Sequence, residues 1–246
     1  MRLILAAVTP TPEDTHPTVP DWLRIAPISR ESSGLGGKSN SQALLTDPHL
    51  ATLLQLPSRV CAALKSFEFT YQDVSRDATN DAKTVTDAAL VRLARACPNL
   101  TTFMLQGTSG LGDESFLAFY EHCPNLTFLE LTAASGDHNR FSSRAFEALS
   151  GNPGWMPRLK KLLLTINMCA KGPFMNAMKA MSKERPALLI TSVTVDERKK
   201  WGDWEMEKYE ESWKKGRTFV PRLTYEEYQE VFGRSRLMMG GFHDFD

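Results

Sequence analysis

The chain has 246 residues, 42% of them hydrophobic, which suffices for one sizeable domain or one short repeat array. Its 29 Lys and Arg balance 29 Asp and Glu, so the formal net charge of zero excludes a bulk charge that would attract nucleic acid or an anionic membrane. The longest apolar stretch near the start, Leu3 to Val8, is too short for a signal-peptide core or a membrane span. We therefore expect an intracellular protein, either cytoplasmic or nuclear.

The first predicted element is a strand, or a truncated repeat, over residues 1–9. Leu3, Ala6 and Val8 have the spacing of the strands in the repeat described below. A strand without a helix of its own indicates that the chain begins inside a repeat, so we expect a further segment upstream.

Residues 10–44 are predicted to form a long surface insertion, because Pro, Ser and Gly are frequent there. Trp22, Leu23 and Ile25 form an apolar group that would pin this insertion to the domain, and a docking peptide is the alternative interpretation. Residues 34–39, Gly-Leu-Gly-Gly-Lys-Ser, resemble the end of a phosphate-binding loop. The first glycine of that motif is missing, so we expect no phosphate site.

An internal repeat organises residues 45–195. The sequence Cys-Pro-Asn-Leu at residues 97–100 recurs at residues 123–126, a shift of 26 residues, and the surrounding segments align without a gap. In the first copy residues 86–87 supply the helix N-cap, either Thr or Asp, and Phe103 and Leu105 alternate as in a short strand. Each copy therefore predicts a helix followed by a strand, and neighbouring copies must stack to bury their apolar faces.

Three weaker copies extend this repeat in both directions. In the last copy two strand registers fit comparably, one with Thr191 and Val193 inward and one with Val193 and Val195 inward. In the first weak copy, the connection between the helix and the strand, called the corner below, is four residues longer than in the template. The apolar residues assigned to helices are Leu50, Leu53, Phe141, Phe146, Leu149, Met178 and Met181, and those assigned to strands are Phe67, Phe69, Leu162 and Leu164.

The motif Val-Thr-Asp-x-x-Leu-x-x-Leu-Ala-x-x-Cys-Pro-x-Leu-x-x-Phe-x-Leu, over residues 85–105, resembles the cysteine-containing leucine-rich repeats of F-box proteins. The resemblance is specific over residues 85–132 and extends over residues 45–195. It implies an α/β fold, a ribonuclease-inhibitor-like solenoid with a short parallel sheet on the concave face and helices on the convex face.

The same resemblance implies a function. F-box proteins of this kind are substrate receptors of cullin-RING ubiquitin ligases, in which the F-box binds a Skp-type adaptor and the repeats hold the substrate. The F-box itself is not found here, since residues 10–44 leave no room for one. The chain is therefore expected to be either a fragment or incomplete gene product of such a receptor, from which the F-box is missing, or a ligase-independent scaffold or inhibitor. Thr108 replaces the second cysteine that the family usually has.

The outward residues of the strands form the candidate partner-binding surface on the concave face. Met104, Phe128 and Leu163 are apolar residues predicted to point outward among charged ones, a pattern typical of interaction sites. Cover by the insertion or the tail is the alternative. The residues predicted to contact a partner are Glu68, Met104, Phe128, Glu130, Lys161 and Leu163.

Residues 196–246 are predicted to form a charged, aromatic, helical C-terminal cap or tail. Trp201, Trp204, Tyr209 and Trp213 lie near one another on a helical projection, which favours a capping helix over an aromatic peptide-binding site.

We expect no enzyme activity, no cofactor and no metal. The four cysteines form no Cys-x-x-Cys pair, the five histidines lack ligand-like spacing, and no nucleophile stands in a recognisable family signature. The expected partner is a protein, with a Skp-type adaptor and cullin reached only through a missing F-box.

Overall fold

The computed structural model describes residues 22–25, 44–73, 79–134, 136–152, 154–165, 171–200 and 203–219. Within them the fold is α/β, with alternating strands and helices and a mostly parallel sheet. The helices are α1 (Asp47–Leu54), α2 (Ser58–Ala63), α3 (Asp87–Ala96), α4 (Asp113–His122), α5 (Ser143–Gly151) and α6 (Lys171–Glu184). The strands are β1 (Trp22–Ile25), β2 (Ser66–Phe69), β3 (Gln72–Asp73), β4 (Thr79–Asn80), β5 (Thr102–Thr108), β6 (Phe128–Ala133), β7 (Lys161–Leu164), β8 (Leu189–Lys200), β9 (Asp203–Lys214) and β10 (Arg217–Phe219).

The main sheet has eight strands in the order β1-β2-β5-β6-β7-β8-β9-β10, and β3 pairs with β4 separately. The strands from β1 to β8 in this sheet run parallel, whereas β9 and β10 are antiparallel to their neighbours. Phe103 pairs with Leu129, as the 26-residue shift predicts. The parallel strands are joined through helices, and successive helices from α3 to α6 pack side by side.

One hydrophobic core lies between the helices and the inward side chains of the strands. The ring of Phe67 stacks on that of Phe103 at 5.0 Å between centroids, and Phe103 packs on Phe119 of α4 at 4.3 Å. All three rings are fully buried. Burial of such a side chain contributes about 1.5–3 kcal/mol, so this row of rings stabilises the contact between neighbouring units.

Each of the helices α1, α3 and α5 begins after a Thr or Ser that serves as N-cap. In α3 this residue is Thr86, whose hydroxyl oxygen accepts a hydrogen bond from the Ala89 amide at 3.3 Å. The structure therefore selects Thr86 over Asp87 as the cap. The predicted helix residues Phe146, Met178 and Met181 are buried in the core, which confirms those helical faces.

The cysteines of the repeat lie at the corners where helices end. Cys97 and Cys123 are the C-caps of α3 and α4 and are fully buried. The Cys123 thiol donates to the backbone oxygens of Ala94 and Cys97, each at 3.6 Å. A small apolar group fits both corners, and at the second corner the weak Cys123 donor also satisfies carbonyls at the end of α3.

The structure adds a strand to the segment that was assigned to the surface insertion. Residues 1–9 lie outside the described residues, so the strand predicted there stays a prediction. Instead, β1 lies inside the segment assigned to the surface insertion, where Leu23 pairs with Phe67 and Ile25 with Phe69. The longer corner before β2 is occupied by α2.

The two registers predicted for the last repeat strand are both wrong. Ile190 pairs with Leu162 and Ser192 with Leu164, so Ile190 takes the inward position assigned to Thr191 or Val193. The corner before β8 is one residue shorter than in the other units, which shifts the strand relative to the template. Leu188, Ile190 and Val193 are all buried, so their apolar character could not distinguish the registers.

The helical cap predicted for the tail is also wrong over the described residues. Residues up to Lys200 continue β8, and residues 203–214 form β9, which pairs antiparallel with β8. Trp213 pairs with Ile190 and is buried in the core. Trp213 therefore covers the end of the hydrophobic core, but it does so as part of a strand and not of a helix. Trp201 and residues 220–246 lie outside the described residues.

Candidate functional site

The outward face of the sheet, opposite the helices, carries the predicted partner-binding residues in two straight rows. These rows follow from the parallel pairing, because every second residue of each strand points away from the core. One row is formed by Ser66, Thr102, Phe128, Lys161 and Leu189, and the next by Glu68, Met104, Glu130, Leu163 and Thr191.

Exposure divides the predicted residues into two groups. Lys161 is exposed, and Glu68, Met104 and Phe128 are half-buried. Glu130 and Leu163 are only 3% and 4% exposed, so the exposure expected for Leu163 is wrong. The chain itself covers these two side chains, which a repeat template for the sheet alone could not reveal. The accessible part of the face therefore lies toward the N-terminal ends of β5, β6 and β7.

Glu130 belongs to a hydrogen-bonded group of polar side chains on the same face. The Gln106 amide nitrogen donates to Glu130 Oε1 at 2.8 Å, and the Thr132 hydroxyl donates to the same atom at 3.2 Å. The Gln106 amide oxygen in turn accepts from the Tyr71 backbone N–H at 3.1 Å. A buried carboxylate needs such donors. Removing its hydration without replacing the lost hydrogen bonds costs roughly several kcal/mol.

Phe128 and Lys161 form a cation–π pair at the open end of the face. The Lys161 ammonium lies 5.4 Å from the centroid of the Phe128 ring. Such pairs contribute about 0.5–1 kcal/mol at exposed sites. The pair therefore fixes a positive charge beside an accessible aromatic surface.

Asparagines at equivalent corners extend this end of the sheet. Asn125 donates from its side-chain nitrogen to Asn99 Oδ1 at 3.4 Å, and Arg158 donates to Asn125 Oδ1 at 3.2 Å. The hydroxyls of Thr101 and Thr127 donate to the backbone oxygens of Lys65 and Thr101. The Asn-x-Thr sequences of the two copies thus form hydrogen bonds that connect neighbouring repeat corners.

The sequence pattern missed a buried polar cluster at the opposite end of the strands. Asn139 is fully buried, and its side-chain oxygen accepts from the Leu111 backbone N–H at 3.1 Å. Its nitrogen donates to the Thr108 hydroxyl at 2.9 Å, while that hydroxyl donates to the Thr132 backbone oxygen at 3.0 Å. The polar Thr108, where the resembled family has cysteine, was the one available signal.

Loops next to this cluster are joined by a salt bridge that the sequence did not predict. Lys83 Nζ lies 2.8 Å from Asp137 Oδ2, and the Ser109 hydroxyl donates to Asp137 Oδ1 at 3.1 Å. These contacts tie the segment before α3 to the segment before α5. They hold the loops at the C-terminal ends of β5 and β6 in place, away from the accessible rows.

Among the described residues, no three His, Cys, Asp or Glu side chains converge as metal ligands. Burial raises the pKa of the Cys97 and Cys123 thiols to about 12, so neither is an activated nucleophile. Over the same part of the chain, no helix has the length and apolar character to cross a membrane. No protein-family model and no curated protein sequence matches the chain.

Proposed function

We propose that residues 45–195 form a leucine-rich-repeat solenoid that binds a protein partner through the outward face of its sheet. The role is substrate recognition similar to that of F-box leucine-rich-repeat proteins. The observation that carries the proposal is the accessible part of the two rows, where Met104 and Phe128 lie among the charged Glu68 and Lys161. Apolar side chains bordered by charge are typical of protein-binding surfaces.

Two further features support the solenoid. The 26-residue shift is reproduced as strand pairing between β5 and β6, and equivalent side chains stack from one unit to the next. Contacts are therefore made mainly between neighbouring units, as in repeat proteins. The straight rows on the outward face are a direct consequence, because the side chain at a given repeat position recurs on each strand.

Site-specific photocrosslinking tests the surface. A benzophenone amino acid is introduced at Met104 or Phe128 in the protein expressed in cells, and at the exposed Arg92 of α3 as the matched control. We expect a defined crosslinked protein from the two sheet positions and not from the helix position. Identical products from all three positions, or no product above background from the sheet, would contradict the proposal.

The crosslinked material also separates the two roles. Co-purification of a Skp-type adaptor and a cullin with the full-length gene product indicates a ligase substrate receptor. A reproducible crosslinked partner without adaptor or cullin indicates a ligase-independent scaffold or inhibitor, which uses the same face without ligase recruitment.

A further inference from the structure

Three basic residues lie within four positions at the beginning of β7, next to the open end of the outward face. Arg158, Lys160 and Lys161 lie just before or at the beginning of β7, and all three are exposed. None of them forms an ion pair within the described residues. Three unpaired charges within four residues create a local positive field, although the whole chain has a formal net charge of zero.

Within the described residues, no carboxylate at the ends of the neighbouring helices forms an ion pair with these three residues. Glu121 lies 3.9 Å from His122, on the same helix end. Glu184 interacts electrostatically with Arg185, whose pKa is lowered first by burial and raised in part by Tyr120 and by Glu184. Both carboxylates therefore accompany other basic side chains.

The side chains of Arg158 and Lys161 and the backbone of Lys160 are held in place before any partner arrives. Arg158 is oriented by Asn125 at 3.2 Å, and the Lys161 ammonium by the ring of Phe128 at 5.4 Å. The backbone of Lys160 is fixed on both sides, since its N–H donates to Thr127 O and its oxygen accepts from Leu189 N, each at 2.8 Å. Because little freedom is lost on binding, these charges favour a partner more than mobile surface lysines would.

We infer that Arg158, Lys160 and Lys161, together with the ring of Phe128, bind an acidic segment of the protein partner. The segment places carboxylates of Asp or Glu at the three cations and an apolar side chain against Phe128. This inference rests on the proposed function and specifies the chemistry of the partner. A nucleic acid fits less well, because a single aromatic ring offers no series of stacking platforms for successive bases and three cations meet few phosphates.

Fluorescence anisotropy with a defined probe tests the inference. The probe is a short labelled peptide with glutamates on both sides of one leucine, and its matched control has glutamine at every glutamate position. Three proteins are compared: the unaltered chain, the triple variant Arg158→Glu, Lys160→Glu and Lys161→Glu, and a control triple variant Arg92→Glu, Arg144→Glu and Lys179→Glu. The control residues are exposed cations of α3, α5 and α6 without an ion pair in the described structure.

We expect the glutamate peptide to bind the unaltered chain and the control variant equally, and more tightly than the glutamine peptide. Affinity falls as salt rises and drops by about tenfold or more in the cluster variant, since three attractive pairs become repulsive. Circular dichroism checks that both variants remain folded. Equal losses in the two variants, no preference for glutamate, or tighter binding of a single-stranded oligonucleotide of equal charge would overturn the inference.

The same variants distinguish this inference from the proposed function. If crosslinking from position 104 still captures its partner from cells with the cluster variant, and to the same extent, the acidic-segment inference fails while the proposed function stands. If crosslinking is lost in the cluster variant alone, the inference is supported. If position 104 captures nothing in any protein, both are contradicted.

Discussion

Asp113, the first residue of α4, accepts hydrogen bonds from both the backbone N–H and the hydroxyl of Ser142, the N-cap of α5. Asp47 binds the N–H and hydroxyl of Thr86 in the same way, and Asp87 binds the N–H of Gly112. The first acidic residue of each of these helices therefore holds the N-cap of the next unit. This carboxylate ladder joins neighbouring units on the side where the helices begin. Its negative charges also stabilise the helices, because they lie at the positive ends of the helix dipoles.

Replacing Asp113 with Ala should lower the free energy of unfolding by about 2–3 kcal/mol, because two hydrogen bonds to a charged acceptor are lost. Asp113→Asn should cost less, since one amide oxygen still accepts. The measurement is urea unfolding followed by circular dichroism. The neighbouring Glu114 is exposed and is the matched control, so Glu114→Ala should change stability by at most about 0.5 kcal/mol. Equal effects at both positions would contradict the ladder.

Asn139→Ala should destabilise the chain by about 2–4 kcal/mol, because it leaves the Leu111 N–H and the Thr108 hydroxyl without their buried partner. Thr108→Val should cost about 1–3 kcal/mol for the same reason. The two losses should not add, since both remove the same cluster. Urea unfolding of the single and double variants measures this coupling. Asn152→Ala, at an exposed helix end, is the control, and a comparable loss there would count against the cluster.

Arg185 closes the corner between α5 and β7, because its guanidinium donates to the backbone oxygens of Leu149, Asn152, Trp155 and Met156. Arg185→Met should remove four hydrogen bonds from a charged donor and cost about 2–3 kcal/mol, while the oxygens of Leu149, Asn152 and Met156 each keep a backbone N–H partner. Arg185→Lys should recover only part of this loss. The oxygens are arranged around the planar guanidinium group, and the compact ammonium group of lysine cannot reach all of them. Hydrogen exchange at the corner amides, compared with Lys179→Met, measures the effect. Unchanged protection in Arg185→Met would refute this role.

The strictly periodic part of the structure could be predicted from the sequence. The shift between Phe103 and Leu129 is both the sequence period and the strand register, because in stacked units the same residue fills the same position. The outward rows follow from that register. The beginning of α3 was predictable to within one residue, Thr86 or Asp87, because capping chemistry is local.

The remaining features depend on contacts that no local pattern encodes. Glu130 and Leu163 have outward repeat positions, yet they are only 3% and 4% exposed in the folded chain. Trp213 lies on a segment whose aromatic spacing suits a helical projection, but pairing with Ile190 at the open sheet edge makes it a strand. A free edge offers unpaired backbone donors and acceptors, so its need for a partner strand outweighs weak periodicity. Asn139 belongs to no sequence motif, and only the folding of the chain brings its side chain to Thr108, 31 residues away.

The thiols of Cys97 and Cys123 should resist alkylation in the folded chain. Burial raises the pKa of each from 9.0 to about 12, and the neighbouring thiol, Cys61 for Cys97 and Cys97 for Cys123, adds to the increase. Only the thiolate reacts, so iodoacetamide at pH 8 should modify either residue at least about a thousandfold more slowly than in the urea-unfolded chain. Peptide mass spectrometry assigns the label to each cysteine. Ser150→Cys on the exposed surface of α5 supplies a reactive control.

The same shift predicts how stability depends on pH. The folded state holds these protons more tightly than the unfolded state, so the contribution is present in full below pH 9 and is lost as pH rises from there to about 12. The urea midpoint should therefore fall over this range. In the double variant Cys97→Ala and Cys123→Ala the fall should be shallower, because the two titrating thiols are absent while Tyr120, whose pKa burial also raises, still contributes. An identical slope in both proteins, together with rapid labelling at pH 8, would mean that these corners open to solvent in the folded state.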